Sequence, residues 1–119
     1  MSTRVLIVDD SRIARFMVRR VVEGLIPECE ITEAGTGDAA VAAARSDTFD
    51  LALVDYNMPG RDGLSAAAEL IRMNPKLKVT LLTANVQESL RRKAAELGLG
   101  FIGKPPTEEK LKDFLELTK

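Results

Sequence analysis

Five polar residues of this sequence each follow a short apolar run, where a buried strand would end. They are Asp9, Asp10, Asp55, Thr83 and Lys104. Three carboxylates that lie close together repel one another, which raises the pKa of at least one of them unless a positive charge is near. Lys104 compensates in part, and Mg²⁺, which binds carboxylate oxygens, waters and phosphate, compensates better. The chemistry indicated is phosphoryl transfer to an aspartate, which forms an aspartyl phosphate.

Composition limits which other groups can do chemistry. The 119-residue chain has no histidine, so imidazole is excluded as a base, a metal ligand or a proton shuttle. Its one cysteine, Cys29, excludes an internal disulfide and is typical of a reducing compartment, which predicts a cytoplasmic protein. A net charge of −1 gives no sign of direct nucleic-acid binding. The apolar run in the N-terminal MSTRVLIVDD is too short for a signal peptide or a membrane span.

The apolar runs alternate with amphipathic stretches five times along the chain. The runs are VLIV (5–8), CEIT (29–32), LALV (51–54), VTLL (79–82) and FI (101–102). Three of them are apolar nearly throughout, as in parallel strands that are covered on both faces. The pattern predicts an α/β fold in which residues 1–119 form a single domain around a doubly wound, five-stranded parallel sheet.

Helical spacing fills the intervals between the runs. The candidate N-cap Ser11 precedes apolar residues that recur every four positions: Ile13, Met17, Val21 and Leu25. Helices are also predicted at 38–45 and 63–73, and after Thr107, where the inward-facing residues are Leu111, Phe114 and Leu115. The remaining stripe, before Gly98, consists of Val86, Leu90, Ala94 and Leu97.

Parallel strands end at one edge of a sheet, and ligands bind in the crevice outside these carboxyl ends. The five polar residues are therefore predicted to converge, although they are spread over the chain. Glu33 follows the second run and shares this edge, but with strand order 2-1-3-4-5 it lies on an outer strand.

Each candidate residue also has a simpler structural explanation. Asp10 could cap a helix with Ser11, Asp55 could be a turn residue, and Lys104 could be a solvated side chain. Thr83 could be a strand-end hydroxyl that is satisfied locally. A shared site is favoured because all of these explanations would have to hold together for the convergence to be accidental.

The segments VLIVDDS, LVDYNMPGRDG, LLTAN and IGKPP resemble the receiver domain of two-component response regulators, including the single-domain chemotaxis type. The resemblance covers essentially the whole chain and preserves the order and spacing of the motifs. It implies a (βα)5 flavodoxin-like fold with strand order 2-1-3-4-5. It also implies a phosphorylation-activated signalling switch that catalyses only its own phosphorylation and dephosphorylation. The phosphodonor would be a phosphohistidine on a sensor histidine kinase or histidine phosphotransfer protein.

The resemblance also implies a role for each site residue. Asp55 is the expected phosphoacceptor, and the expected Mg²⁺ ligands are Asp10, Asp55, the main-chain carbonyl of Asn57, and Asp9 through a water. Lys104, with a cis bond to Pro105, would pair with the phosphoryl oxygens. Thr83 would move its hydroxyl to the phosphoryl group, and Phe101 would then turn inward. The fourth helix, fifth strand and fifth helix would bind a downstream protein target, with no direct nucleic-acid or membrane partner.

Two other functions remain open from the sequence. A Mg²⁺-dependent phosphatase of the haloacid dehalogenase type combines similar residues, but it normally has a second acid where this chain has Asn57, and a cap domain for which 119 residues leave no room. A pseudo-receiver would bind partners without being phosphorylated. Asn57 and Asn85 also stand at the two positions that influence how water reaches the phosphoryl group in the family, which leaves the lifetime of the phosphorylated state open.

Overall fold

The computed structural model describes residues 2–84 and 86–117, in which strands and helices alternate along the chain. The strands are β1 (Thr3–Val8), β2 (Cys29–Ala34), β3 (Leu51–Asp55), β4 (Lys78–Thr83) and β5 (Gly100–Gly103). The helices are α1 (Arg12–Leu25), α2 (Gly37–Ser46), α3 (Gly63–Met73), α4 (Glu88–Glu96) and α5 (Glu108–Leu117). All strand pairs are parallel, and their order β2-β1-β3-β4-β5 confirms the predicted fold class and strand order.

Alternate residues of the strands pack into two apolar cores, one on each face of the sheet. The first core contains Leu6, Val8, Ala52, Val54, Val79 and Leu81, together with residues of α2, α3 and α4. The second contains Val5, Ile7, Leu51, Leu53, Leu82 and Ile102, together with residues of α1 and α5. Because both faces are covered, the central strands are apolar at successive positions, and all five residues of β3 are buried.

Side-chain caps fix where four of the helices begin. Ser11, Thr36, Asp62 and Thr107 each accept a hydrogen bond from a backbone N–H in the first turn of the helix that follows. Ser11 caps α1 through its own hydroxyl, as its sequence position predicts, so capping does not account for Asp10. The first turn of α1 therefore starts just beyond the two acids that follow β1.

The helix predicted after Ser11 is confirmed, but the apolar residues that recur every four positions are not all buried. Ile13 and Met17 are 73% and 63% exposed, and the buried residues of the helix are Val18 and Val22. A spacing of four residues exceeds the 3.6 residues of a helical turn, so each step rotates the position by about 40°. Residues at the start of such a series therefore lie on a different face from those at its end.

The stripe predicted around α4 is wrong at both ends. Leu90 and Ala94 are buried, but Leu97 is 41% exposed at the C-cap. Val86 is 59% exposed and precedes the helix, which begins at Glu88. Gly98, with φ of +77°, ends α4 in the left-handed conformation that glycine adopts without strain, as predicted. Within the described residues, no helix has the length and apolar character needed to cross a membrane.

Candidate functional site

Asp55 is the last residue of the central strand β3, and its side chain is buried at the carboxyl edge of the sheet. Only 2% of the residue is exposed. The next residue, Tyr56, donates its N–H to the carbonyl of Leu82 at 2.8 Å and accepts a hydrogen bond from Gly63 N–H at 3.0 Å. These two hydrogen bonds fix the backbone that directly follows Asp55.

Two further carboxylates reach Asp55 from the loop after β1. Carboxylate oxygens of Asp9, Asp10 and Asp55 all lie within 4.8 Å of one another. Asp9 is 3% exposed, whereas Asp10 is exposed to solvent. Asp9 Oδ1 accepts a hydrogen bond from Ser11 N–H at 2.9 Å, which orients the first acid. A cluster of carboxylate oxygens with one exposed member suits a hard divalent cation that retains waters, so these residues fit Mg²⁺.

Lys104 supplies a positive charge to the two buried acids. Its Nζ lies 2.8 Å from Asp55 Oδ1 and 3.2 Å from Asp9 Oδ2. The backbone of Lys104 continues the pairing of β5 with β4, because its N–H donates to the carbonyl of Thr83 at 2.8 Å. The peptide bond between Lys104 and Pro105 is cis, as the resemblance implies.

The balance of charge at this edge is reflected in the pKa values of its groups. Burial is the main cause that raises the pKa of Asp55, and the charges of Asp9 and Asp10 add to it, while Lys104 acts in the opposite direction. For Lys104, burial lowers the pKa, but the ion pairs with Asp55 and Asp9 outweigh burial and raise it. The cluster thus has more negative charge than Lys104 neutralises, which favours an added cation.

Thr83 of β4 and Phe101 of the neighbouring strand β5 lie on the same face of the sheet. Thr83 is the last residue of β4 and is fully buried, and it pairs in register with Gly103 of β5. A Cβ atom at Gly103 would lie 3.3 Å from Val86 Cγ1, so the side chain of Val86 covers the position that Gly103 leaves empty. Phe101 is half-buried and pairs in register with Leu81. The guanidinium of Arg91 lies over its ring, 4.8 Å from the centroid.

The remaining predicted positions lie around this cluster. Asn57 is exposed in the loop that follows β3, two residues after Asp55, and its role as a carbonyl ligand stays a prediction. Asn85 lies outside the described residues. Glu33 is the penultimate residue of β2, on the outer strand as predicted, and it binds two arginines of α1.

Gly63 is a site residue that the sequence interpretation missed. It begins α3 so close to the end of β3 that a Cβ atom would lie 2.1 Å from the carbonyl oxygen of Asp55. The same Cβ would lie 2.8 Å from the Cα of Tyr56, and neither backbone atom can move without displacing Asp55. The signal in the sequence was a glycine directly after the cap residue Asp62, at the end of the short loop that follows Asp55.

We expect Gly63→Ala to lower the free energy of unfolding by about 3 kcal/mol, since backbone must shift to admit the methyl group. Urea denaturation measures this loss. Gly24→Ala is the matched control, because nothing lies within 4 Å of a Cβ there, and in α1 alanine should be neutral or stabilise by up to about 1 kcal/mol. Equal stability of Gly63→Ala and the wild type would contradict the close approach.

The chain is similar to known proteins over most of its length. The family model described as response regulator receiver domain matches residues 5–116. Protein CcdB of Bacillus subtilis is 34% identical over 115 residues, which cover 92% of this chain and 91% of CcdB. The cyclic di-GMP phosphodiesterase response regulator RpfG of Xanthomonas campestris is 36% identical over 85% of this chain. The chain spans only 28% of RpfG and 46% of the response regulator UvrY of Escherichia coli, so it matches a part of these relatives.

Solved structures show the same fold. Chemotaxis protein CheY4 of Vibrio cholerae superposes with a TM-score of 0.88 at 25% identity, over 100% of both chains. The CheX-CheY-BeF3-Mg²⁺ complex of Borrelia burgdorferi contains a chain that matches with a TM-score of 0.82 at 25% identity, over 97% of this chain and 87% of that one.

Proposed function

Because this chain belongs to the response regulator receiver domain family, we propose that it is a signalling switch in which Asp55 accepts the phosphoryl group. The position of Asp55 is the observation that carries the proposal. Its buried carboxylate lies at the carboxyl end of the central strand, 2.8 Å from an ammonium and within 4.8 Å of two other acids. Few structural roles need this concentration of charge at the edge of a sheet.

The proposed reaction is a direct transfer from a phosphohistidine to Asp55. A carboxylate oxygen of Asp55 attacks phosphorus, the P–N bond breaks as the O–P bond forms, and the imidazole leaves with the electron pair. Asp10, Asp55 and the Asn57 carbonyl would hold Mg²⁺, with Asp9 acting through a water, and the bound ion would neutralise charge on the phosphoryl oxygens. Lys104 pairs with the same oxygens.

Phosphorylation changes the charge beside Thr83 and so favours a second packing arrangement. A phosphoryl group adds nearly two negative charges and three acceptor oxygens. Thr83 donates its hydroxyl to one of them, and Phe101 repacks towards the space at Gly103, which requires Val86 to move. Since Val86 lies in the segment leading into α4, the change reaches α4, β5 and α5, where the downstream protein partner binds.

Membership of the receiver domain family supports a single signalling domain. We propose that residues 1–119 are one receiver domain, acting in the cytoplasm, where the free thiol of Cys29 is stable. Its output is binding of another protein, or relay of the phosphoryl group, rather than direct contact with nucleic acid or membrane.

Incubation with acetyl phosphate and Mg²⁺ tests the proposed function. A receiver gains one acid-stable, alkali-labile phosphoryl group per chain, measured by intact mass. A phosphatase of the haloacid dehalogenase type releases many equivalents of phosphate, and a pseudo-receiver gains nothing. Either of the last two results would overturn the proposal. Omission of Mg²⁺ is the matched control, and we expect it to prevent the incorporation.

An exposed apolar patch on α1 supports a docking position for the phosphodonor. The patch consists of Ile13, Phe16 and Met17, which are 73%, 56% and 63% exposed. It begins just beyond the loop that carries Asp9 and Asp10. Arg20 places its guanidinium 5.8 Å from the ring centroid of Phe16, and the phenylalanine remains 56% exposed. An apolar patch beside a reactive group suits a protein partner that must bring its own reactive group to the same place.

We expect Phe16→Ala to slow phosphotransfer from a histidine phosphotransfer domain by about tenfold, as for loss of one aromatic anchor. The rate with acetyl phosphate should stay unchanged, because the small donor does not contact α1. Met73→Ala removes an exposed apolar side chain (39%) from the end of α3, away from the patch on α1, and should leave both rates unchanged. An equal loss with both donors would place the effect of Phe16 inside the phosphorylation site instead of at a docking surface.

A further inference from the structure

Glu33 on the outer strand β2 connects to the acidic cluster through Arg15. Arg15 Nε donates to Glu33 Oε1 at 2.9 Å, and Arg15 Nη1 donates to the main-chain carbonyl of Asp9. Arg19 Nη1 donates to the other oxygen of Glu33 at 2.8 Å. The side chain of Arg15 is 16% exposed, and that of Glu33 is 29% exposed. Glu33 therefore holds Arg15 in one orientation, with its second donor directed at Asp9.

The carbonyl that Arg15 binds belongs to the peptide between Asp9 and Asp10. The carbonyl oxygen of Asp9 and the Cα of Asp10 lie in one rigid plane, because the peptide bond does not rotate. The N–H of Asp9 is fixed separately, since it donates to the carbonyl of Ala34 at 3.1 Å. Arg15 thus fixes the orientation of the peptide from which the exposed Asp10 projects.

We propose that Arg15, held by Glu33, is a positioning residue that orients the Asp9–Asp10 peptide and thereby sets the affinity of the acidic cluster for Mg²⁺. The inference rests on the proposed function, because it assumes that Asp10 is a ligand. It assigns Glu33 a role at a distance from the site. A carboxylate that is free to rotate must be ordered when the ion binds, and that ordering lowers the affinity.

The direction in which Arg15→Ala changes the Mg²⁺ affinity distinguishes a positioning role from a purely electrostatic effect of the arginine charge. Arg15 is a cation near three carboxylates, so its charge alone repels Mg²⁺, and its removal should tighten binding. Loss of positioning has the opposite effect. We expect Arg15→Ala to weaken Mg²⁺ binding by about tenfold, the lower end of the range for residues that orient metal ligands. Tighter or unchanged binding would overturn the proposal.

Mg²⁺ titration followed by calorimetry measures these affinities without any phosphodonor. Fluorescence of Tyr56, the one tyrosine in a chain without tryptophan, gives a second readout beside Asp55. Thermal unfolding in EDTA shows whether each variant is folded at the titration temperature. Acetyl phosphate incorporation by the wild type tests the proposed function separately. A wild type that binds Mg²⁺ and is phosphorylated, with Arg15→Ala binding as tightly, would refute the positioning role alone.

A double-mutant cycle tests whether Glu33 acts through Arg15. Glu33→Gln should weaken Mg²⁺ binding by about threefold in the wild type and have no effect in Arg15→Ala. Additive effects would show that Glu33 acts by its own charge, against the proposal. Arg19→Ala is the matched control, because it removes a cation that binds the same Glu33 but makes no hydrogen bond to Asp9 among the described contacts. Its Mg²⁺ affinity should stay within about twofold of the wild type.

Discussion

Asp55→Asn is expected to take up no phosphoryl group from acetyl phosphate and, in Mg²⁺-free solution, to unfold at a higher urea concentration than the wild type. The amide has the shape of the carboxylate but is not a nucleophile, so incorporation should be lost completely. The gain in stability follows from the raised pKa of Asp55, since burial and the charges of Asp9 and Asp10 disfavour its ionised form. The loss of the Asp55 charge does not leave Lys104 unpaired, because its ammonium keeps Asp9 as a partner at 3.2 Å.

The pH dependence of this gain has a definite sign. The pKa of Asp55 is higher in the folded state, so the folded protein holds the proton more tightly than the unfolded chain. The contribution of protonated Asp55 is complete below the unfolded pKa of about 4 and is lost as the pH rises through the folded pKa. The advantage of asparagine should therefore be small near pH 4 and increase towards neutral pH.

Asp113→Asn is the control for Asp55→Asn. Asp113 is an exposed carboxylate on α5, so its substitution removes the same charge without touching the buried cluster. It should retain one phosphoryl group per chain and show no comparable change in stability with pH. Phosphoryl uptake by Asp55→Asn would mean that another carboxylate is the acceptor, and a lower urea midpoint would mean that the ion pair with Lys104 outweighs the burial of charge.

The sequence was sufficient to predict the convergence of Asp9, Asp10, Asp55 and Lys104, because parallel strands end at one edge whatever packs around them. Strand order and register decide which of these side chains meet. Short connections between parallel strands allow few strand orders, so the sequence limits the possible arrangements. The structure brings the three carboxylates within 4.8 Å of one another and places the Lys104 ammonium on Asp9 and Asp55. Their chemical roles depend on ligands and remain predictions.

The sequence was not sufficient where a contact depends on the exact approach of two elements. The bond from Arg15 to the Asp9 carbonyl depends on how α1 lies against β2, and the need for glycine at Gly63 depends on an approach of α3 to β3 within van der Waals distance. The exposed face at Ile13 and Met17 was missed because regular spacing identifies a helix but not the face that packs. These details come from tertiary packing, which local patterns do not contain.

Lys104→Ala is expected to bind Mg²⁺ about tenfold more tightly than the wild type, while its Mg²⁺-free form loses about 2 kcal/mol or more of stability. The ammonium lies 2.8 Å from Asp55 Oδ1 and 3.2 Å from Asp9 Oδ2, so it competes with the ion for the same oxygens. Without Lys104, the buried carboxylates have lost this cation, which destabilises the fold. Saturating Mg²⁺ should restore most of the lost stability.

Calorimetric titration and urea denaturation with and without Mg²⁺ measure both effects, and Lys112→Ala, which removes an exposed ammonium from α5, should change neither. Weaker Mg²⁺ binding by Lys104→Ala would show that the lysine organises the acids more than it competes for them. The comparison with Arg15→Ala is the sharper test. Each variant loses one positive charge near the same carboxylates, yet opposite changes in Mg²⁺ affinity are expected, because Lys104 contacts the ligand oxygens and Arg15 contacts the peptide that orients them.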